Sequence, residues 1–292
     1  MNHASPLARF WAEFRESTVA VAALAVVVLI VLLAVMAPLI APQNPYDLSQ
    51  LVLGDARRPP GFVGRHGFTY WLGTDAQGRD LWSAILYGLR ISIQVGLVAG
   101  AIAFVMGAAL GSIAAFFGGR TETLIMRVVD LQLSFPAILL ALMLIAVLGK
   151  GVDKIIIALV TVQWAYYART ARSAALVERH KEYMEAARAL GLPAWRIVLR
   201  HLLPNALPPL IVVGTVQVAH AIALEATLSF LGLGLPATEP SLGLLIATGY
   251  EYLLSGKYWI SVYPGVALLL TILAINLVGD QLRDVLNPRL SR

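Results

Sequence analysis

The chain has 292 residues, 59% of them hydrophobic and only 13% charged, with a mean hydropathy of +0.76. Soluble domains carry about 25% charged residues, so this composition lies far outside the globular norm. The absence of cysteine excludes disulfides, thiolate metal sites and thiol catalysis, and the net charge of +5 is explained by basic residues clustered beside apolar spans rather than by nucleic acid.

The first element is an uncharged run from Val19 to Ala37, long enough as a helix to cross a hydrocarbon core that needs roughly 20 residues. It exceeds the length of a signal-peptide core, and Glu13 and Glu16 precede it, so it reads as a retained first span of a leading unit over residues 1–41. Residues 42–89 form the one sizeable polar stretch, broken into turns by Pro42, Pro45, Pro59, Pro60 and Gly61. It lacks the apolar periodicity for a core of its own and is expected to pack on the outer face of the membrane domain. Asp75, Arg79 and Asp80 close this stretch, and two readings stand: a solvated turn with Asp80 as N-cap of the next helix, or a functional role in contacting a partner outside the membrane or controlling a gate.

Residues 90–292 carry the remaining spans. Ile91–Gly119 is the second, and Leu131–Gly149 the third, entered past Arg127 and Asp130, whose spacing suggests a surface ion pair. A fourth starts near Ile155 and loses its uncharged character after Ala168, so Arg169 and Arg172 must reach water from its end. A fifth runs from about Asn205 to Gly234, and a sixth from Tyr258 to Gly279. The economical architecture is an all-α polytopic membrane protein of about six transmembrane helices. Pro136 and the pair Pro208-Pro209 fall inside spans and favour bends. Glu225 is the one acid deep in the fifth span. It is either a hydrogen-bonded structural residue or a pathway or gate residue.

Between the fourth and fifth spans lies a polar insert at about 178–204. Residues 178–190 are strong helix formers without Gly or Pro, and Gly191 follows where a helix ends in a left-handed cap. Pro193 can open a second helix, in which Trp195, Val198, Leu199 and Leu202 form one apolar stripe. Pro204 is expected to end that helix. Small residues (Ala186, Ala187, Ala189) permit close backbone approach and Glu185 offers one polar contact, so the insert is either an ordinary connection or a lever for a docking partner. Seven basic residues between Arg169 and Arg200 place this side in the cytoplasm. With both termini there, the inner segments hold 14 of the 22 Lys and Arg.

The insert resembles the E-A-A-x3-G…L-P signature of ABC importer permeases, carried here by Glu185, Ala186, Ala187, Gly191, Leu203 and Pro204, with His201 where Ile is common. Gly73-Thr74-Asp75-Ala-Gln-Gly78-Arg79-Asp80 resembles the G-T-D-x-x-G-R-D segment of dipeptide and oligopeptide importer permeases. Leu228-Ser-Phe-Leu-Gly-Leu-Gly234 resembles their S-F-L-G-x-G stretch, and Gly279-Asp280 through Leu290 their C-terminal motif, with Asn287 in place of Asp. The resemblance, from about residue 18 to the end, is to the "C-type" permease with a type I importer fold. It implies a homologous B-type permease partner, two P-loop ATPase subunits docking on the insert, an extracytoplasmic substrate-binding protein, peptide cargo and a bacterial cytoplasmic membrane location. Related importers carry nickel chelates, glutathione or other small solutes.

No G-x-x-x-x-G-K-[ST] occurs in the chain, so ATP hydrolysis is expected in separate subunits and the chain is not expected to be an enzyme. An ion-driven transporter would show inverted repeats and paired intramembrane acids, and a membrane enzyme a G-x-S-x-G or clustered His and Asp; none is evident. The histidines lack zinc-ligand spacing, so no metal, cofactor or catalytic residue is expected.

Overall fold

The computed structural model describes residues 5–65 and 67–286. A short helix α1 (Pro6–Arg15) leads into α2 (Thr18–Ile40), whose N-terminus is capped by the Ser17 hydroxyl accepting from the Ala20 N–H at 3.2 Å. A two-stranded ribbon, β1 (Phe62–Val63) with β2 (Thr69–Tyr70), interrupts the outer stretch. Helix α3 (Leu81–Phe117) then crosses the molecule, so the second span begins already at Leu81 rather than near Ile91. Its start is set by Asp80, whose Oδ2 accepts from the Ser83 N–H at 2.9 Å, as the N-cap expectation requires.

Two expectations about the next segment are corrected. Residues 131–149 are not a straight third span: α4 (Gly119–Leu133) and α5 (Ala137–Leu148) meet at 89° across Pro136. Proline disfavours the helical conformation of the residue before it and supplies no N–H, and the bend falls there. Asp130 pairs not with Arg127 but with Arg169 of α6 (Val152–Arg179), at 2.5 Å. That pair joins two helices instead of decorating one.

Among the described residues four helices are long and apolar enough to cross a membrane, or five if the bent α4–α5 pair counts as one span, so the six-span count is not reached. Helix α6 falls short because Gln163, Arg169 and Arg172 lower its apolarity. Protein covers the side that carries Gln163, with Leu159, Gln163, Ala165, Tyr167 and Ala168 buried, whereas Arg169 is exposed toward the end of the helix. Close approach makes that burial possible. A Cβ added at Gly107 or Gly111 of α3 would collide with the carbonyls of Trp164 and Ala168, so the two backbones lie against each other. Helices in lipid gain little from the hydrophobic effect and associate through such small-residue packing.

After α7 (Glu182–Ala189), helix α8 (Ala194–Ile197) continues through a π turn at Val198–Leu202 into α9 (Leu203–Phe230). Pro204 therefore does not end a separate helix. The Leu203 N–H reaches back to the Val198 carbonyl, and this widened turn sits directly before the proline, which lacks the N–H a regular turn would use. Pro208 and Pro209 lie within α9 without breaking it. Helix α10 (Leu242–Tyr250) wedges against α9 and α11 (Trp259–Leu286); a Cβ at its Gly243 would strike the Ala226 carbonyl.

Candidate functional site

The polar insert is a helix–turn–helix seated on the ends of α3 and α6. The predicted helix over 178–190 divides: Glu178 and Arg179 belong to α6, the chain turns at His180–Lys181, and α7 begins at Glu182. Glu178 fastens this corner, accepting from Lys181 Nζ and from the Tyr183 hydroxyl, each at 2.7 Å. Burial and the bond to Glu178 push Tyr183 up to about 12, so it stays a neutral donor. Arg179 Nη1 donates to the Ala115 carbonyl at the end of α3 (2.8 Å), and Arg188 lies over the Phe116 ring.

Gly191 closes α7 in a Schellman arrangement. Its N–H reaches the Arg188 carbonyl at 2.9 Å, the Leu192 N–H reaches the Ala187 carbonyl at 3.3 Å, and its φ is +67°. A Cβ there meets nothing within 4 Å, so only backbone strain opposes a side chain. Gly191→Val should cost about 1–2 kcal/mol of local stability from the left-handed conformation. Faster proteolytic nicking between Arg188 and Arg196 is the expected result, with Gly191→Asn much milder. Equal nicking in both variants would show that the turn does not depend on this conformation.

Met184, Ala187, Ile197 and Leu202 face inward and pack with Ala115 and Ala175. The predicted stripe is thus split. Leu202 is buried and Val198 half-buried, whereas Trp195 and Leu199 are 63% and 59% exposed, because Ile197 rather than Trp195 fills the core side of the turn. Glu185, Ala186, Leu190 and Gly191 are exposed beside them, and Ala187 is buried. Leu203 is half-buried and Pro204 exposed at the start of α9. The insert therefore presents a surface of two acids, Glu182 and Glu185, small residues, and three large apolar side chains, Leu190, Trp195 and Leu199.

The second constellation lies at the far end of α3. Gly73, Thr74, Asp75, Gly78, Arg79 and Asp80 come together, but not as a solvated turn: Thr74, Asp75, Arg79 and Asp80 are all 2% exposed or less. Asp75 Oδ2 pairs with Arg79 Nε at 2.6 Å, and Asp75 Oδ1 accepts from the N–H groups of Gln77 and Arg79. Thr74 donates its hydroxyl to the Asp55 carbonyl at 2.6 Å. Burial pushes the Asp80 carboxyl up, against the opposing pull of its bonds from Ser83. Gly73 has φ +81° and lies against the Arg58 carbonyl and the Trp259 indole, where any side chain would collide. Gln43 escaped sequence reasoning. Its Oε1 accepts from the Asp80 N–H at 2.6 Å, tying the end of the first span to the start of the second, and a lone glutamine carries no signal of that role.

Glu225 is fully buried within the chain. Oε1 accepts from the hydroxyls of Ser229 (2.8 Å) and Ser241 (2.9 Å), and Oε2 from Ser92 (3.0 Å). Three elements meet on one carboxylate: α3 through Ser92, α9 itself, and the residue preceding α10. Ser229 sits in the quoted Leu228–Gly234 stretch; Ser92 and Ser241 had no sequence signal. The C-terminal motif is described only to Leu286, and Asn287 through Leu290 lie outside the described residues. Its Gly279 lets α11 approach Thr215 of α9. Near this end a cavity of about 790 Å³ opens between α6, α9 and α11, lined in part by Glu178, Asn205, Pro208, Asp280 and Arg283. No group of His, Asp or Glu suited to holding a metal occurs among the described residues.

The family model described as binding-protein-dependent transport system inner membrane component matches residues 107–292, and that of the N-terminal TM domain of oligopeptide transport permease C matches residues 5–60. A putative peptide transport system permease protein of Brucella suis is 46% identical over 224 residues, 77% of this chain and 75% of its own length. A di/tripeptide transport system permease protein of Pseudomonas aeruginosa is 38% identical over 98% of this chain and 93% of its own. A probable D,D-dipeptide transport system permease protein of Escherichia coli is 38% identical over 94% of this chain and 88% of its own. In three dimensions the chain resembles a chain of the MetNI methionine ABC transporter in an inward-facing conformation. The TM-score is 0.57 at 23% identity, over 70% of this chain and 96% of that one, a likeness of fold.

Proposed function

Because this chain belongs to the family of binding-protein-dependent transport system inner membrane components, we propose that it is the transmembrane subunit of an ATP-driven importer of di- or oligopeptides in a bacterial cytoplasmic membrane. The observation that carries the reading is the exposed Glu185–Ala186 face beside Trp195 and Leu199, held on a helix pair too well packed to be a slack connection. Two ATPase subunits dock here and on the equivalent surface of a homologous permease. Their closure on ATP pushes α7, which is fastened through Tyr183–Glu178 to α6 and through Arg179 to α3. A push at the insert is thereby delivered to the two most closely packed helices, and the bundle rocks between inward-open and outward-open forms. The insert and both termini then face the cytoplasm, and residues 42–80 face the substrate-binding protein.

The buried residues of the outer turn cannot touch that protein directly. Their part is to shape the loop that does. Asp75 and Arg79 hold its backbone, and Gln77, half-buried, is held by the Ala237 carbonyl.

The test is Glu185→Lys in the intact complex. Loss of most of the co-purifying ATPase, or of peptide-stimulated ATP hydrolysis in proteoliposomes, is expected while the permease remains inserted. Full assembly with wild-type stimulation would remove the insert from the coupling path. Stimulation by a non-peptide solute and not by peptides would overturn the cargo but keep the machine.

A further inference from the structure

We infer that α1 is an interfacial helix that binds the phospholipid surface at the boundary between head groups and acyl chains, on the same side as the polar insert. This goes beyond the transport reading and depends neither on cargo nor on an ATPase. Only Glu16 and Ser17 separate α1 from α2, an uncharged span, so the covalent link fixes the depth of α1 at one edge of the bilayer. The end of α11 lies at that same edge: Gln281 Nε2 donates to the Glu13 carbonyl at 3.4 Å.

Three faces can be told apart on α1. Phe14, 2% exposed, is the inward anchor, with Phe10 stacked beside it. Arg9, Glu13 and Glu16 recur at i, i+4 and i+7 as a charged face. Trp11, its ring stacked on Phe14, and Ala8 form a third face that is exposed among the described residues, with Trp11 39% exposed and the Arg15 guanidinium 4.8 Å from its ring centroid. An exposed indole with a cation folded over it, at a depth set by an adjoining span, matches the chemistry of the membrane–water interface. The ring is apolar with one polar edge, and the arginine stem can cover apolar surface while its head reaches water. Arg9 and Arg15 are offset by Glu13 and Glu16, so attraction to anionic lipid is not the driving force. Apolar burial of the aromatic face is.

Site-directed spin labelling tests this directly, because the chain has no native cysteine. Ala8→Cys, Trp11→Cys and Glu13→Cys, each labelled in the intact transporter complex, are reconstituted into vesicles of phosphatidylethanolamine with either phosphatidylcholine or phosphatidylglycerol. Elution of each complex at the wild-type position reports on folding. Labels at 8 and 11 should show a several-fold higher ratio of oxygen to nickel-chelate collisions than the label at 13, with the same ratios in both lipid mixtures. Equal water accessibility at all three positions would overturn the proposal. So would shielding of 8 and 11 from both reagents, which would mean a partner subunit covers the face, or lipid exposure only with phosphatidylglycerol.

Discussion

Asp75→Ala is expected to destabilise the purified chain by about 3–5 kcal/mol, the range for removing one partner of a buried ion pair. The Asp75 and Arg79 side chains are 2% and 3% exposed, so the guanidinium left behind could not be rescued by water. Arg79 Nη1 already has no hydrogen-bond partner among the described residues, which leaves Asp75 as the source of its compensation. The turn would also lose the acceptor for the Gln77 and Arg79 N–H groups. Asp75→Asn keeps an oxygen for those N–H groups and should fall between wild type and alanine. The decisive comparison is Asp75→Ala with Arg79→Leu. If uncompensated charge is the cause, the double variant recovers part of the loss in a thermal-unfolding series in detergent. A double variant as unstable as the sum of the two single changes would refute the charge argument.

The second large effect is expected at Glu225. Alanine there strands three buried hydroxyls, at about 1–3 kcal/mol for each group left unsatisfied, and opens a cavity where α3, α9 and α10 meet. Glu225→Ala should therefore fail to accumulate in the membrane. Glutamine fills the same volume: its oxygen can accept from Ser229 and Ser241, and its amide can donate to Ser92. We accordingly expect Glu225→Gln to insert, assemble and transport close to wild type. A stable Glu225→Gln protein with transport abolished would show that the carboxylate works on the pathway rather than as a staple. The pair of variants separates the two readings that the sequence left open.

Legibility followed the physics of each feature. Apolar runs announced α2, α3, α9 and α11 because a bilayer demands length and uniform apolarity, which a linear sequence displays. Gly191 was legible because a left-handed cap is a local matter, decided by one residue's backbone. Asp80 as N-cap was legible for the same reason. The pairing of Asp130 was not. Arg127 was the near neighbour along the helix, yet Arg169 is nearer in space once α4 turns away from α5 at Pro136. The division of the apolar stripe between buried Leu202 and exposed Trp195 also escaped, since a π turn shifts the register of the helix faces and periodicity assumes regular turns.

By itself the sequence determined that the chain is a polytopic membrane permease with a polar insert between its fourth and fifth apolar segments. Composition, hydropathy and short motifs act over tens of residues or fewer and need no partner from afar. Only the tertiary structure decided that the acids and arginine of the outer turn are buried, that the polar Gln163 of α6 is enclosed by protein, and that Glu225 gathers three serines from separate elements. Each of these depends on which distant backbones approach closely enough to exclude solvent or lipid, and burial of that kind is written in no single segment of the chain.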